Sequence, residues 1–138
     1  MSAKYQRIHP HEILAVQRDL RRRGMRSPSA KQNLVIFRLC CCYGLRSCEV
    51  AGLSLRDLTV EGPEPDLFLP KQIVKRKERS RHIPLRLDRE IFYDVSRWHR
   101  LRRVQGAGPQ DPFVCGQKAD QFGRRLPATT VQGRWRTA

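Results

Sequence analysis

The residues best suited to phosphate chemistry stand in two stretches. One is the octapeptide Tyr43-Gly44-Leu45-Arg46-Ser47-Cys48-Glu49-Val50, the other the basic run Lys75-Arg76-Lys77-Glu78-Arg79-Ser80-Arg81. Arg46 falls between two apolar helical patterns, just after Gly44, which can end a helix in the left-handed conformation at no steric cost. A guanidinium beside a core is costly to hold unless an anion meets it. Two anions are open at this stage: the Glu49 carboxylate three residues on, or an external phosphate, whose oxygens suit a planar fork of donors. The basic run is either a solvated hairpin tip or a tip that contacts phosphates.

The composition favours an external polyanion. The chain has 138 residues and a formal net charge of +15, from 28 Lys+Arg against 13 Asp+Glu. Such an excess opposes compaction and makes sense with a polyanionic partner, nucleic acid first. The basic residues are spread along the chain, as on a folded domain with basic faces rather than a disordered tail. No stretch approaches a transmembrane length and no signal peptide opens the chain, so neither a membrane nor export is expected. The five cysteines contain no C-x-x-C pair, so no metal site is expected. Cys40, Cys41 and Cys42 point about 100° apart on a helix and cannot ligate one ion from one face. They are expected as buried free thiols in a reducing cytoplasm.

The elements that position these residues follow from periodicity. Ile13, Val16, Gln17 and Leu20 predict an amphipathic helix over 11–23, closed by Gly24. Ser27-Pro28 opens a second helix running to residue 43, apolar almost all round and so central. A short helix covers 47–53. The period then shifts to strands at 58–60, 67–69 with 73–74, and 81–85, with Pro70 at an edge or bulge. They form a three-stranded antiparallel sheet within about 58–85. Asp88 can cap a helix over 88–104, in which Ile91, Phe92, Val95, Trp98, Leu101 and Arg102 follow helical spacing. Pro112 to Gly116 is a short extended segment, and Thr129-x-x-Gln132 is a capping box opening a last helix. The fold class is α+β, mostly helical.

In this order the motifs resemble the catalytic domain of the tyrosine recombinases, the phage-integrase family. That family carries T-G-L-R-x-x-E-h (h, hydrophobic), matched here from Tyr43 to Val50 and followed by Leu53-Ser54-Leu55-Arg56-Asp57-Leu58, similar to L-x-W-x-D-h. The resemblance implies that Arg46 holds the scissile phosphate and that Glu49 is a structural partner. The family's hairpin lysine is best matched by Lys75, counting back from Pro84, with Lys77 as the alternative. It implies a general acid that protonates the leaving 5′ oxygen. Arg76, Arg79 and Arg81 would join Arg46, Lys75 and Lys77 in contacting DNA. The implied partners are double-stranded DNA and other recombinase protomers. The implied location is the cytoplasm, on the nucleoid, and no cofactor or metal is needed.

The resemblance covers about residues 10–138. It also implies features that are not matched: a second box, H-x-x-R, and a tyrosine nucleophile. His99-Arg100-Leu101-Arg102 fits the box by letter but falls directly after the Pro-Leu strand, too early, and is better read as a basic helix face. Tyr5, Tyr43 and Tyr93 are the tyrosines, and none follows a plausible second box. The expectation is a partial catalytic domain, without the core-binding domain and the C-terminal catalytic half, and inactive alone. The alternative is a non-enzymatic helix-turn-helix DNA-binding protein, with the Gly44 junction as its turn and the helix from Ser47 as its recognition helix. An RNA-binding protein is weaker, because aromatics make up only 7% of the chain.

Overall fold

Ser27 opens helix α1 (Pro28–Phe37) by accepting the Ala30 N–H on its hydroxyl at 3.1 Å, with Pro28 in the first turn, where a missing N–H costs nothing. The computed structural model describes residues 10–11, 27–74, 80–86 and 88–136. The helix expected over 11–23 therefore lies almost wholly outside the described residues.

The rod begun by α1 continues through Arg38–Cys42 as a wider π-helical turn. Tyr43 N–H bonds to Arg38 C=O at 3.1 Å, five residues back, and Leu45 N–H reaches Leu39 C=O at 2.9 Å. Gly44 makes the reversal at φ +74°. The expected helix to residue 43 is thus one rod with a widened last turn. Helix α2 (Ser47–Gly52) follows, then a 3₁₀ turn (Leu55–Asp57) in which the Asp57 carboxylate accepts the Ser54 N–H at 2.9 Å.

Strands β1 (Leu58–Thr59), β2 (Asp66–Leu69) and β3 (Arg81–Pro84) form the expected antiparallel sheet in the order β1-β2-β3. Leu67 pairs with Leu58 on one side and Ile83 on the other. Leu67 and Leu69 point into the core, whereas Asp66 and Phe68 face outward, the period-two pattern of a half-buried strand. Two expectations need correction. Pro70 is not on an edge strand: β2 is the central strand, and Pro70 comes directly after its end, where no ladder N–H is needed. Ile73 and Val74 are not strand. Ile73 N–H bonds to Pro70 C=O at 3.0 Å, closing a turn.

Helix α3 (Arg89–Val104) is capped by Asp88, whose carboxylate accepts the Glu90 and Ile91 N–H groups at 2.9 and 3.0 Å. Helix α4 (Ala128–Arg136) starts before Thr129, so Thr129 is in its first turn and is not the cap; Pro127 C=O takes the first bonds, from Thr130 and Val131 N–H.

The core lies between α1 with its π turn, α2, α3, α4 and the inner face of the sheet. Ile36, Leu39, Val50, Leu53, Leu67, Val95, Trp98, Phe113 and Val131 are all fully buried in it. The fold is α+β, with four α-helices and one three-stranded antiparallel sheet among the described residues. Among those residues no helix is long and apolar enough to cross a membrane.

Candidate phosphate-binding face

Arg46 is the residue before α2, with extended backbone (φ −83°, ψ 156°). Its N–H is one of the groups that a helix start leaves without an internal partner, and Glu49 Oε1 accepts it at 2.8 Å. Glu49 supplies half of a capping box. The other half is missing, because an arginine side chain has no acceptor to offer. Of the two anions open in the sequence, Glu49 is therefore committed to the Arg46 backbone. The Arg46 residue is exposed, and its guanidinium has no hydrogen bond or ion pair among the described residues.

The hairpin joins this junction at both of its feet. On the outgoing side, Ile73 packs on Gly52 at the end of α2. A Cβ built at Gly52 would lie 2.7 Å from Ile73 Cγ2 and 2.9 Å from Ile73 Cβ, a clash at the branched part of the side chain. On the returning side, Arg81 opens β3, and its Nη2 stands 3.6 Å from Glu49 Oε1. The Arg81 side chain is half exposed, while that of Glu49 is 3% exposed. A six-residue helix thus carries Arg46 before its start, Arg81 against its third residue and Ile73 against its last. Lys75, Arg76, Lys77 and Arg79 lie outside the described residues, so the general acid and the tip contacts have no place in this geometry. Arg46, Glu49 and Arg81 do come together.

Behind this face, Tyr43 is packed rather than poised. Its hydroxyl donates to Leu85 C=O at 2.9 Å, and burial, then the nearby Asp88, push its pKa up to about 12. The cysteines depart from the expected burial. Cys40, Cys41 and Cys42 are half-buried, Cys48 is exposed, and Cys115 is buried. The reason is the position of the triplet in the last turn of the rod, where one side still faces outward. Burial pushes the Cys40 thiol up to about 12, with Cys41 and Glu49 adding to the shift, and pushes Cys41 up to about 11. Among the described residues no group of three or more His, Cys, Asp or Glu is arranged to hold a metal ion.

His99 and Arg102 are not a solvated basic face. Both are buried. Arg102 gives Nε and Nη2 to Pro112 C=O at 3.1 and 2.9 Å and Nη1 to Gln105 at 3.1 Å. His99 Nε2 meets Leu55 C=O at 3.2 Å. These residues hold neighbouring backbone, since α3 turns His99 toward the 3₁₀ turn and Arg102 toward the loop after the helix.

A further arginine supports the site without a local signal in the sequence. Arg125 gives Nη1 to the carbonyls of Ala51 and Leu53 at 2.8 and 3.0 Å, and Nη2 to the Ser54 hydroxyl at 3.1 Å. It thereby satisfies the otherwise open C-terminal end of α2. No protein-family model matches the chain, and no curated protein matches it.

Proposed function

We propose that the chain binds duplex DNA through the face formed by Arg46 and the hairpin that ends at Arg81, as part of a tyrosine-recombinase catalytic domain. The supporting observation is the shared anchor. Glu49 accepts the Arg46 N–H and stands beside Arg81, at the foot of a hairpin rich in Lys and Arg, while Arg46 itself is exposed. In this role Arg46 holds a phosphate and offsets charge on phosphorus, and Lys75 or Lys77 protonates the leaving oxygen. Strand exchange by a 3′-phosphotyrosyl link belongs to the complete protein, working with further protomers on the nucleoid in the cytoplasm.

A helix-turn-helix protein is less favoured. A recognition helix needs a free face to enter a major groove. Helix α2 has six residues, buries Glu49, Val50 and Ala51, and packs on α4.

The test is duplex binding as a function of salt. The logarithm of affinity should fall linearly with the logarithm of salt, by about 0.9 for each phosphate neutralised. Arg46→Ala should weaken binding and reduce that slope by about one phosphate's worth. Binding that ignores salt, or an Arg46→Ala variant with unchanged slope, would remove this face from the DNA contact.

A further inference from the structure

The outer face of the sheet carries a cluster that the phosphate face does not use. Partners across a ladder share a face, so His82 lies with Phe68 on the side away from the core, and Asp66 lies two residues before Phe68 on that same side. His82 Nδ1 stands 2.6 Å from Asp66 Oδ2, and the His82 and Phe68 ring centres are 4.8 Å apart. An ionised carboxylate only accepts, so Nδ1 carries a proton in both charge states of the ring, and Nε2 is the nitrogen that gains or loses one.

The ladder shows what this contact holds. Leu85 N–H bonds to Pro65 C=O at 3.0 Å. Antiparallel pairs alternate between bonded and unbonded. Counting from that bond, Ile83 with Leu67 and Arg81 with Leu69 are bonded pairs, and His82 with Phe68 and Pro84 with Asp66 are unbonded ones. Pro84, which has no N–H, thus falls where none is required. Side chains approach most closely at unbonded pairs, which is where the two rings meet. In the order β1-β2-β3, strand β3 is at the edge and is laddered on one side only. Its start is held by the Arg81–Leu69 pair, by the Arg81 contact with Glu49 of α2, and by the His82 contact with Asp66.

One of these three contacts responds to pH near neutrality. A guanidinium keeps its charge, and ordinary carboxylates titrate lower, whereas imidazole changes charge between about pH 5 and 8. Strand β2 offers the ring Asp66 and the uncharged Phe68. Arg81, its neighbour in β3, pairs with Leu69 on the opposite face.

We propose that Asp66 and His82 form a pH-sensitive latch on β3. With the ring charged, the contact is an ion pair that holds the start of β3, and with it Arg81, against β2. With the ring neutral, it is a single hydrogen bond without charge on the donor, and the strand end opens more often. The His82 and Asp66 side chains are 66% and 31% exposed, so solvent screens the pair and the effect is a small one.

The experiment measures amide hydrogen exchange in the full chain at pH 5.5 and 7.5, as protection factors corrected for the intrinsic pH dependence of exchange. The wild-type chain is compared with His82→Gln and Asp66→Asn. Each variant removes one charge and keeps a side chain able to hydrogen-bond across the strands. The reading is the ratio of wild type to variant at each pH, because the titration of His99 is common to all three chains and cancels. At pH 5.5 the Arg81 and Ile83 N–H groups should be about two- to fivefold better protected in the wild type than in either variant, the scale of an exposed ion pair. The ratio should approach one at pH 7.5, since a contact tightened by a proton loosens as pH rises. Unchanged α3 amide shifts verify the fold of each variant. A ratio equal at both pH values would make the contact a fixed one and overturn the latch. So would a ratio that grows with pH, or His82 ring nitrogen shifts that stay constant across the window. No DNA is present, so none of these outcomes bears on the Arg46 face, and a failure of duplex binding would not bear on the latch.

Discussion

Arg81 and Glu49 are 32 residues apart in sequence, and the Arg81 Nη2 stands 3.6 Å from the Glu49 carboxylate oxygen that also accepts the Arg46 N–H. That carboxylate is a negative charge within the proposed phosphate face, so it both holds the face together and works against the ligand. Glu49→Gln separates the two effects. Glutamine keeps an oxygen acceptor for the Arg46 N–H and removes the charge. Duplex affinity at low salt should rise, and the salt slope should steepen by no more than about 0.9. A lower affinity with an intact fold would show that Arg81 needs the ion pair to be positioned.

The contact between Gly52 and Ile73 makes the second prediction. Gly52→Ala drives a methyl into Ile73 at the foot of the hairpin. The cost should be about 1–3 kcal/mol, the usual range for overpacking, read from the shift in urea midpoint. Ile73→Ala in the same chain should recover part of it by opening the space. A fully additive pair would mean that the two residues do not press on each other in solution.

Much of this arrangement was legible in the chain, and the limits have physical causes. Gly44, Ser27, Pro28 and Asp88 act locally, through backbone conformation or a bond to a near neighbour, and each sits where its type predicts. Alternation found the strands within two residues, but it extended the second through Pro70 to Ile73 and Val74, because apolar type alone does not reveal a turn. The contacts that join distant segments left no such trace. Arg125 reaches α2 from more than 70 residues away. His99 and Arg102 look like a basic face by letter, yet the acceptors that bury them, Leu55 and Pro112 carbonyls, are backbone groups that every residue type offers.

Gln32 gives a third prediction of this long-range kind. Its Nε2 donates to Cys115 C=O and its Oε1 accepts the Cys115 N–H, both at 2.9 Å, in a side chain with no exposed surface. The amide closes the backbone of the 112–116 segment against α1, as a strand partner would. Gln32→Leu removes both of these buried bonds. The loss should be roughly 1–3 kcal/mol, about 0.5–1.5 for each bond. A loss well below 1 kcal/mol in chemical denaturation would show that water replaces the amide at no cost.

The His99 imidazole sets a pH dependence. Burial lowers its pKa below the ordinary value of 6.5, with Arg103 lowering it further and the Leu55 carbonyl and Glu61 opposing. The unfolded chain therefore takes up the proton at higher pH than the folded chain does. Linkage gives the sign: below 6.5 the unfolded state binds more protons, so stability falls as pH falls and levels off above 6.5. Urea unfolding between pH 7.5 and 5, compared with His99→Gln to subtract other groups, should show the wild-type chain losing more stability across that window. An equal loss in both proteins would assign the dependence elsewhere.

The last prediction concerns covalent chemistry, and it rests on where the described tyrosines stand. A phosphotyrosyl link needs a phenol oxygen that can reach phosphorus as its proton leaves. Tyr43 is nearest to Arg46 in sequence, but its hydroxyl already donates to Leu85 C=O and its pKa is pushed up to about 12. Attack through that oxygen would break a half-buried bond and ionise a group that its surroundings keep neutral. Tyr93 is 56% exposed on α3, with the Arg97 guanidinium 5.5 Å from its ring centre. That cation sits over the ring face, where it packs against the π-system. The chain should therefore bind a nicked or suicide duplex without forming an adduct that survives denaturing electrophoresis. Arg46→Ala should reduce the binding and leave the absence of adduct unchanged. An adduct lost on Tyr93→Phe would make the exposed α3 tyrosine a nucleophile. An adduct lost on Tyr43→Phe would mean that the Leu85 bond opens when DNA is bound.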